Sequence, residues 1–338
     1  MRIVMLGHTE VGKTTYMASL YGVLQQSVEG FRLKAANSED HNRLLNLAEK
    51  IHQGQYPLAT DQRSEYEFKL RYQSKDILSF TWGDYRGGAI RETQDSEQAR
   101  LLLEDLRQAD GIMMFCDCDA LLRGNRRSNQ LGRMVTLASN AVRDLKRPIS
   151  LAIILTKVDL VPEFNEDLLF PFSGLIKTIE VSEWVLGALI PVACGTQFIN
   201  VPMPLLFALH AAVFFKAATL AHLVENHYSK ALDWEEKSQG FSGFVRWVND
   251  KWNGATTDKQ LAQKEMEKAL DKYKDFELIK EPTEALIEIV QKLPLIQKDI
   301  ILKEYVKKIN QAYNGVKFNS RRTGSLYETY SDPFDAFN

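Results

Sequence analysis

Residues 7–14 read Gly-His-Thr-Glu-Val-Gly-Lys-Thr and follow the apolar run Ile3-Val4-Met5-Leu6. This is the pattern G-x-x-x-x-G-K-[ST], with a strand before it and a helix after it. Gly7 and Gly12 let the backbone turn the N–H groups of His8, Thr9, Glu10 and Val11 toward one point, where anionic oxygens can be wrapped. Lys13 adds positive charge for the β- and γ-phosphates of a nucleotide, and the Thr14 hydroxyl is placed to ligate Mg²⁺. The helix that opens through Lys13, Thr14 and Thr15 adds the positive end of its dipole.

Two further segments bear on which nucleotide is bound, and both follow apolar strands. Ile77–Gly83 runs into Asp84-Tyr85-Arg86-Gly87. A carboxylate at the end of a buried strand, Asp84, suits Mg²⁺. Gly87, three residues on, can turn its N–H toward a γ-phosphate. Leu151–Leu155 runs into Thr156-Lys157-Val158-Asp159. The Asp159 carboxylate can accept from guanine N1–H and the 2-amino group. Adenine offers neither and leaves the carboxylate unpaired. The Lys157 stem can lie flat over the base.

Phosphate loop, D-x-x-G and T-K-x-D, in this order on three strands, resemble a P-loop GTPase of the translation-factor/Ras-like (TRAFAC) class. The likeness covers about residues 1–232. It implies a three-layer α/β domain with a mostly parallel sheet, binding of GTP and GDP with Mg²⁺, and hydrolysis of GTP. Under it, Lys13, Thr14, Asp84, Gly87, Thr156, Lys157 and Asp159 take the roles given above. Ala193-Cys194-Gly195 stands where such GTPases carry Ser-Ala-Lys, so the backbone at Ala193 and Cys194 is expected to meet guanine O6. The first switch needs a Thr that reaches Mg²⁺ and the γ-phosphate. Thr60, ahead of the strand at 65–72, is the candidate; Thr81 and Thr93 are worse placed.

Two departures from the class pattern stand out. Lys13 and Asp84 are 71 positions apart, leaving room for an extra strand and helix. Bacterial GTPases of this class, including the double-GTPase type of predicted conflict systems, are similar in carrying such an insert. The second departure is chemical. The position after Gly87, where Ras-like proteins place the Gln that orients attacking water, is Gly88. Hydrolysis is therefore expected to be slow alone and to need a group from a protein partner or a second copy. The loop Arg123-Gly124-Asn125-Arg126-Arg127 offers arginines, although a solvated basic loop explains it as well. A GTP-binding adaptor with little hydrolysis is the alternative.

Net charge is −2 over 338 residues, so no global field favours nucleic acid or an anionic membrane. The three cysteines, Cys116, Cys118 and Cys194, lack metal-ligand spacing and suit a reducing, cytoplasmic setting. The phosphate loop begins at residue 7, which leaves no place for a cleaved leader that spares it. Leu205–Val224 is long and apolar enough for a membrane span. Lys216 near its middle is costly in lipid, so a helix buried on the sheet is expected and no transmembrane segment.

Strands are expected at 2–6, 31–36, 65–72, 77–83, 111–117, 151–155 and 189–193. Helices are expected at 13–26, 39–53, 96–108, 130–145, 173–186 and 204–231. This alternation implies a parallel sheet covered on both faces, with ligand at the carboxyl ends of the strands. From 233 to 314 the pattern is helical, with helices at 258–279, 282–293 and 296–313. Between Asp258 and Tyr313 stand 11 Lys and 11 acidic residues, a balance that argues against nucleic acid. Phe241, Phe244, Trp247, Val248 and Trp252 share a helical face and are a core contact or a partner patch. Residues 315–338 have the composition of a weakly ordered tail.

Overall fold

The computed structural model describes residues 1–58, 64–84, 97–125, 130–143, 145–195, 197–232 and 257–320. Candidate residues Thr60 and Gly87, the Gly88 position, and the aromatic segment 241–252 lie outside them.

In chain order, β1 (Arg2–Leu6) leads through the loop to α1 (Lys13–Val23). The insert supplies β2 (Phe31–Ala35) and α2 (Ser38–His52) before the long hairpin β3 (Ser64–Tyr72) and β4 (Lys75–Asp84). Next come α3 (Glu97–Gln108), β5 (Gly111–Asp117), the short α4 (Cys118–Leu122), α5 (Leu131–Val142) and β6 (Ile149–Thr156). One seven-stranded sheet takes the order β2-β3-β4-β1-β5-β6-β7, where β7 is Val185–Pro191. Pairing is antiparallel at β2–β3–β4 and parallel across the rest.

The central strands β5 and β6 are buried at every residue, as continuous apolar runs covered on both faces should be. Period-two alternation splits their side chains between two cores. Val4, Leu6, Ile112, Met114, Ile153 and Leu155 point to one face, under α3 and α5. Ile3, Met5, Met113, Phe115, Ala152 and Ile154 point to the other, under α1. Three layers result, with helices on both sides of the sheet.

Several boundaries differ from the sequence expectation. The helix expected at 173–186 is α7 (Ser173–Glu180), after the single turn α6 (Glu166–Leu169). Residues from Val185 belong instead to β7, because an apolar run beside β6 gains a full parallel ladder there. Gly187 permits the close fit: a methyl group on it would meet Ile179 Cγ2 at 2.7 Å and Ile296 Cδ1 at 3.0 Å. The strand expected at 189–193 thus starts earlier and ends at Pro191. Ala193–Cys194 (β8) turns away and pairs with Phe198–Ile199 (β9) in a separate antiparallel ladder.

The long helix α8 (Met203–Leu232) packs across β5 and β6 on the α1 face. A methyl group at Gly111 would overlap the Ala208 carbonyl oxygen, so glycine sets how close α8 comes to β5. By length and composition alone α8 is apolar enough to cross a membrane. In the fold its first half, including Leu205, Phe207 and Leu209, is buried against the sheet.

Helix α9 (Thr257–Gln291) returns antiparallel along α8 and runs straight through Pro282, where a break was expected. Proline leaves the carbonyl four residues earlier without its donor. The helix continues because Leu286, Ile289 and Val290 are buried in the α1-side core. The helix expected from 296 begins instead as extended chain. Leu189 N–H donates to Pro294 O at 3.0 Å and Ile296 N–H to Gly187 O at 2.8 Å, so this stretch caps the open edge of β7. Only then does α10 (Leu302–Ser320) start, burying Tyr305 and Ile309 completely in the other core.

Candidate nucleotide-binding cleft

At the carboxyl ends of β1, β5 and β6 lies an open cleft of about 460 Å³. The phosphate end is built by the loop between β1 and α1. Gly12 takes φ 96° and Glu10 φ 67°, left-handed conformations that curl the chain. A methyl group at Gly7 would press on Val11 Cγ2 at 2.9 Å and Phe115 Cβ at 3.1 Å, so this glycine is required by space rather than by φ. Lys13 is 7% exposed, and its ammonium donates to the carbonyls of Gly7 (2.9 Å) and His8 (3.1 Å). The cation is thus held at the centre of the loop's own curl. Thr9, Glu10, Thr14 and Thr15 line the same cavity.

The base end is built by the turn after β6. The Thr156 hydroxyl, buried, lies 2.8 Å from Val11 O and 3.0 Å from Cys116 O, which ties the turn to the phosphate loop and to β5. Lys157 takes φ 57°, and its ammonium meets Asp117 Oδ2 at 2.5 Å. That leaves the Lys157 stem along the wall of the cleft, beside Asp159 and Leu160. Asp117 is at the end of β5, 8% exposed, and also accepts from Ala120 N–H at 3.0 Å as the N-cap of α4.

Of the residues singled out from the sequence, the cleft gathers Thr9, Glu10, Gly12, Lys13, Thr14 and Thr15 at one end. At the other it gathers Thr156, Lys157, Asp159 and Cys194. Gly7, His8 and Val11 act from behind, through carbonyls that bond Lys13 and Thr156. Ala193 is fully buried beneath the base end. Asp84 ends β4 directly beside Met5 of β1, on the same edge of the sheet as the phosphate loop.

Burial pushes the Cys194 thiol up to about 12, with a smaller push from Asp159. Burial raises Cys116 and Cys118 likewise. All three are therefore neutral thiols at neutral pH, without the thiolate character that redox or metal roles need.

Sequence reasoning passed over two contributors. Asp117 ends an apolar strand just as Asp84 does, a signal that could have found it. Tyr56 also lines the cleft, though its sequence neighbours carry no motif.

A family model, Double-GTPase 2, matches residues 2–175. The chain belongs to the Double-GTPase 2 family. The matched span runs from β1 through the phosphate loop and the T-K-x-D turn into α7, so it holds both ends of the cleft. The Double-GTPase 2 assignment makes the three-layer P-loop domain a GTPase domain. Among solved structures, the Saccharomyces cerevisiae Ski7 GTPase-like domain bound to GTP is similar at 16% identity and TM-score 0.37. The alignment covers 57% of this chain and 42% of that one. The same domain bound to GDP and inorganic phosphate gives 16% identity and TM-score 0.34, over 57% and 43%. The chain thus spans less than half the length of these two structures. No curated protein matches the chain.

Proposed function

We propose that this Double-GTPase 2 member is a regulatory switch that binds GTP and hydrolyses it with Mg²⁺, slowly alone and faster with a protein partner or a second copy. The observation that carries the proposal is that Lys13 and Asp159, a phosphate cation and a guanine-reading carboxylate, line one cleft. Neither group alone would select GTP: Lys13 suits any nucleoside triphosphate, and Asp159 suits the base.

In this reading Lys13 exchanges its bonds to the Gly7 and His8 carbonyls for β- and γ-phosphate oxygens. The loop N–H groups and the start of α1 share the remaining negative charge. Asp159 orders the base edge-on, and Lys157, pinned by Asp117, covers one face.

Mg²⁺ prefers hard oxygen donors and keeps several waters and phosphate oxygens in its shell. The Thr14 hydroxyl at the cleft and a carboxylate at position 84, on the adjacent strand end, fit that donor set. Thr14 and Asp84 would hold the ion, which would neutralise charge on the β- and γ-phosphates. Thr60 and Gly87 are proposed to sense the third phosphate. The helical part after 232, whose helices bury Leu286, Ile289, Tyr305 and Ile309 in the two cores of the sheet domain, is proposed to report nucleotide state to a partner.

The test is single-turnover and steady-state hydrolysis of GTP and ATP at several protein concentrations, with Lys13→Ala alongside. GTP-selective turnover that falls at least about 100-fold in Lys13→Ala is expected, from loss of a charged contact to the transition state. A specific rate that rises with concentration identifies a second copy as the source of the missing group. Tight GTP binding without Lys13-dependent turnover overturns the hydrolase and favours the adaptor that Gly88 suggests.

A further inference from the structure

Ala193 and Cys194, expected to meet guanine O6, form a short strand at the base end of the cleft. Ala193 and Cys194 are paired with Ile199 and Phe198 in the β8–β9 ladder. Ala193 is also fully buried. Beside this ladder stands a different polar group. A methyl group at Gly195 would lie 3.1 Å from the Tyr56 hydroxyl and 3.3 Å from Asp159 Oδ2. Both oxygens therefore converge on the same point of the cleft, one from the turn after β6 and the other from the segment after α2. Tyr56 is 56% exposed although its hydroxyl reaches into the cavity. An exposed aromatic ring with its polar tip turned inward is arranged for a ligand rather than for the core.

We propose that Tyr56 is a specificity residue whose hydroxyl donates to the 6-oxo group of the guanine base. This rests on the GTP-binding reading above. The chemistry follows from the order of atoms on the base. When a carboxylate accepts from N1–H and the 2-amino group, the next group along the edge on the N1 side is the oxygen at position 6. A donor flanking the carboxylate on the Gly195 side meets that oxygen. An adenine amino group there would present hydrogens to a hydroxyl that must then reverse its role, beside a carboxylate already left unpaired. Tyr56 and Asp159 thus read adjacent atoms of one edge. Tyr56 and the exposed Leu58 and Leu160 give the cleft an apolar rim.

The test compares GDP with 6-thioguanosine diphosphate, which keeps N1–H and the 2-amino group but carries a weaker acceptor at position 6. Dissociation constants are measured by displacement of a fluorescent GDP analogue from the full chain, for wild type, Tyr56→Phe and Asp159→Asn. Wild type is expected to favour GDP about ten-fold, within the worth of one hydrogen bond. Tyr56→Phe is expected to cut that preference to about two-fold by weakening GDP alone. Because Tyr56 is largely exposed, its unfolding temperature should not move. An unchanged preference in Tyr56→Phe, with GDP binding still lost in Asp159→Asn, overturns the role of Tyr56 and leaves the GTPase reading standing. Wild type that binds neither nucleotide removes both.

Discussion

The nucleotide cleft and the α8–α9 hairpin are both rich in charged side chains, and they use them in opposite ways. In the cleft Lys13 and Asp117 are nearly enclosed, and each is tied to carbonyls, an N–H or an opposite charge. A buried charge without partners is too costly to keep. In the hairpin the charges pair on the surface. Lys274–Asp271 is an example, at 3.4 Å with both side chains more than half exposed. Pairs of that kind contribute about 0–1 kcal/mol. The hairpin is held by apolar contacts, among them Val224, Tyr228, Met266 and Ala269 in one cluster and Ala217, Leu220 and Ile279 in another. A charge in the cleft is therefore held by partners inside the fold, whereas most charges on the hairpin sit in solvent and contribute little to stability.

The widest gap between the two regions is expected at Asp159. Asp159→Asn removes two charge-assisted bonds to guanine and should weaken GDP by about 100-fold, on the order of 3 kcal/mol. It should turn preference toward xanthine nucleotides, whose 2-oxo group suits an amide. Competition binding with GDP and xanthosine diphosphate checks this, and unchanged guanine preference would break the assignment of the base end.

A smaller effect sharpens what enclosure does. Asp117→Asn can keep its bond to Ala120 N–H while losing the charge opposite Lys157. GDP dissociation should quicken about ten-fold with little change in unfolding temperature. Asp117→Ala should add about 1 kcal/mol of instability from the lost cap. If the two variants release GDP at the same rate as wild type, Asp117 serves α4 alone.

The smallest effect belongs to the hairpin. Glu265 bonds Lys268 at 2.6 Å and His227 at 2.7 Å, and these partners, Lys268 first, hold its carboxyl at about 2 rather than 4.5. A depressed carboxylate stabilises the fold above its ordinary value, and that contribution disappears as pH falls from about 4.5 toward 2. Thermal unfolding of wild type and Glu265→Gln should differ slightly at pH 5 and converge by pH 2. A difference that persists at pH 2 would show packing rather than charge at this site. Nucleotide affinity should be the same in both proteins.

Much of the cleft was legible in the sequence because its parts are local. A glycine-rich loop between a strand and a helix, and a T-K-x-D turn after a strand, each place their groups within a few residues. The alternating strand and helix pattern foretold the covered parallel sheet for the same reason. Where the reading failed, the competing force came from afar. Val185 joined a strand because β6 offered a ladder beside it. Pro282 failed to break α9 because the residues after it had a core to fill. Residues 294–296 stayed extended to close the edge of β7.

By itself, then, the sequence determined the phosphate loop, the T-K-x-D turn and a mostly parallel sheet covered by helices, since these follow from short-range geometry and from the alternation of strand and helix. Only the tertiary structure decided that Asp117 pins Lys157, that Ala193 and Cys194 leave the sheet for a ladder of their own, and that the Tyr56 hydroxyl lies beside Gly195. Those contacts join residues 40 or more positions apart in the first and last cases, and their partners are chosen by how the layers pack, which no local pattern encodes.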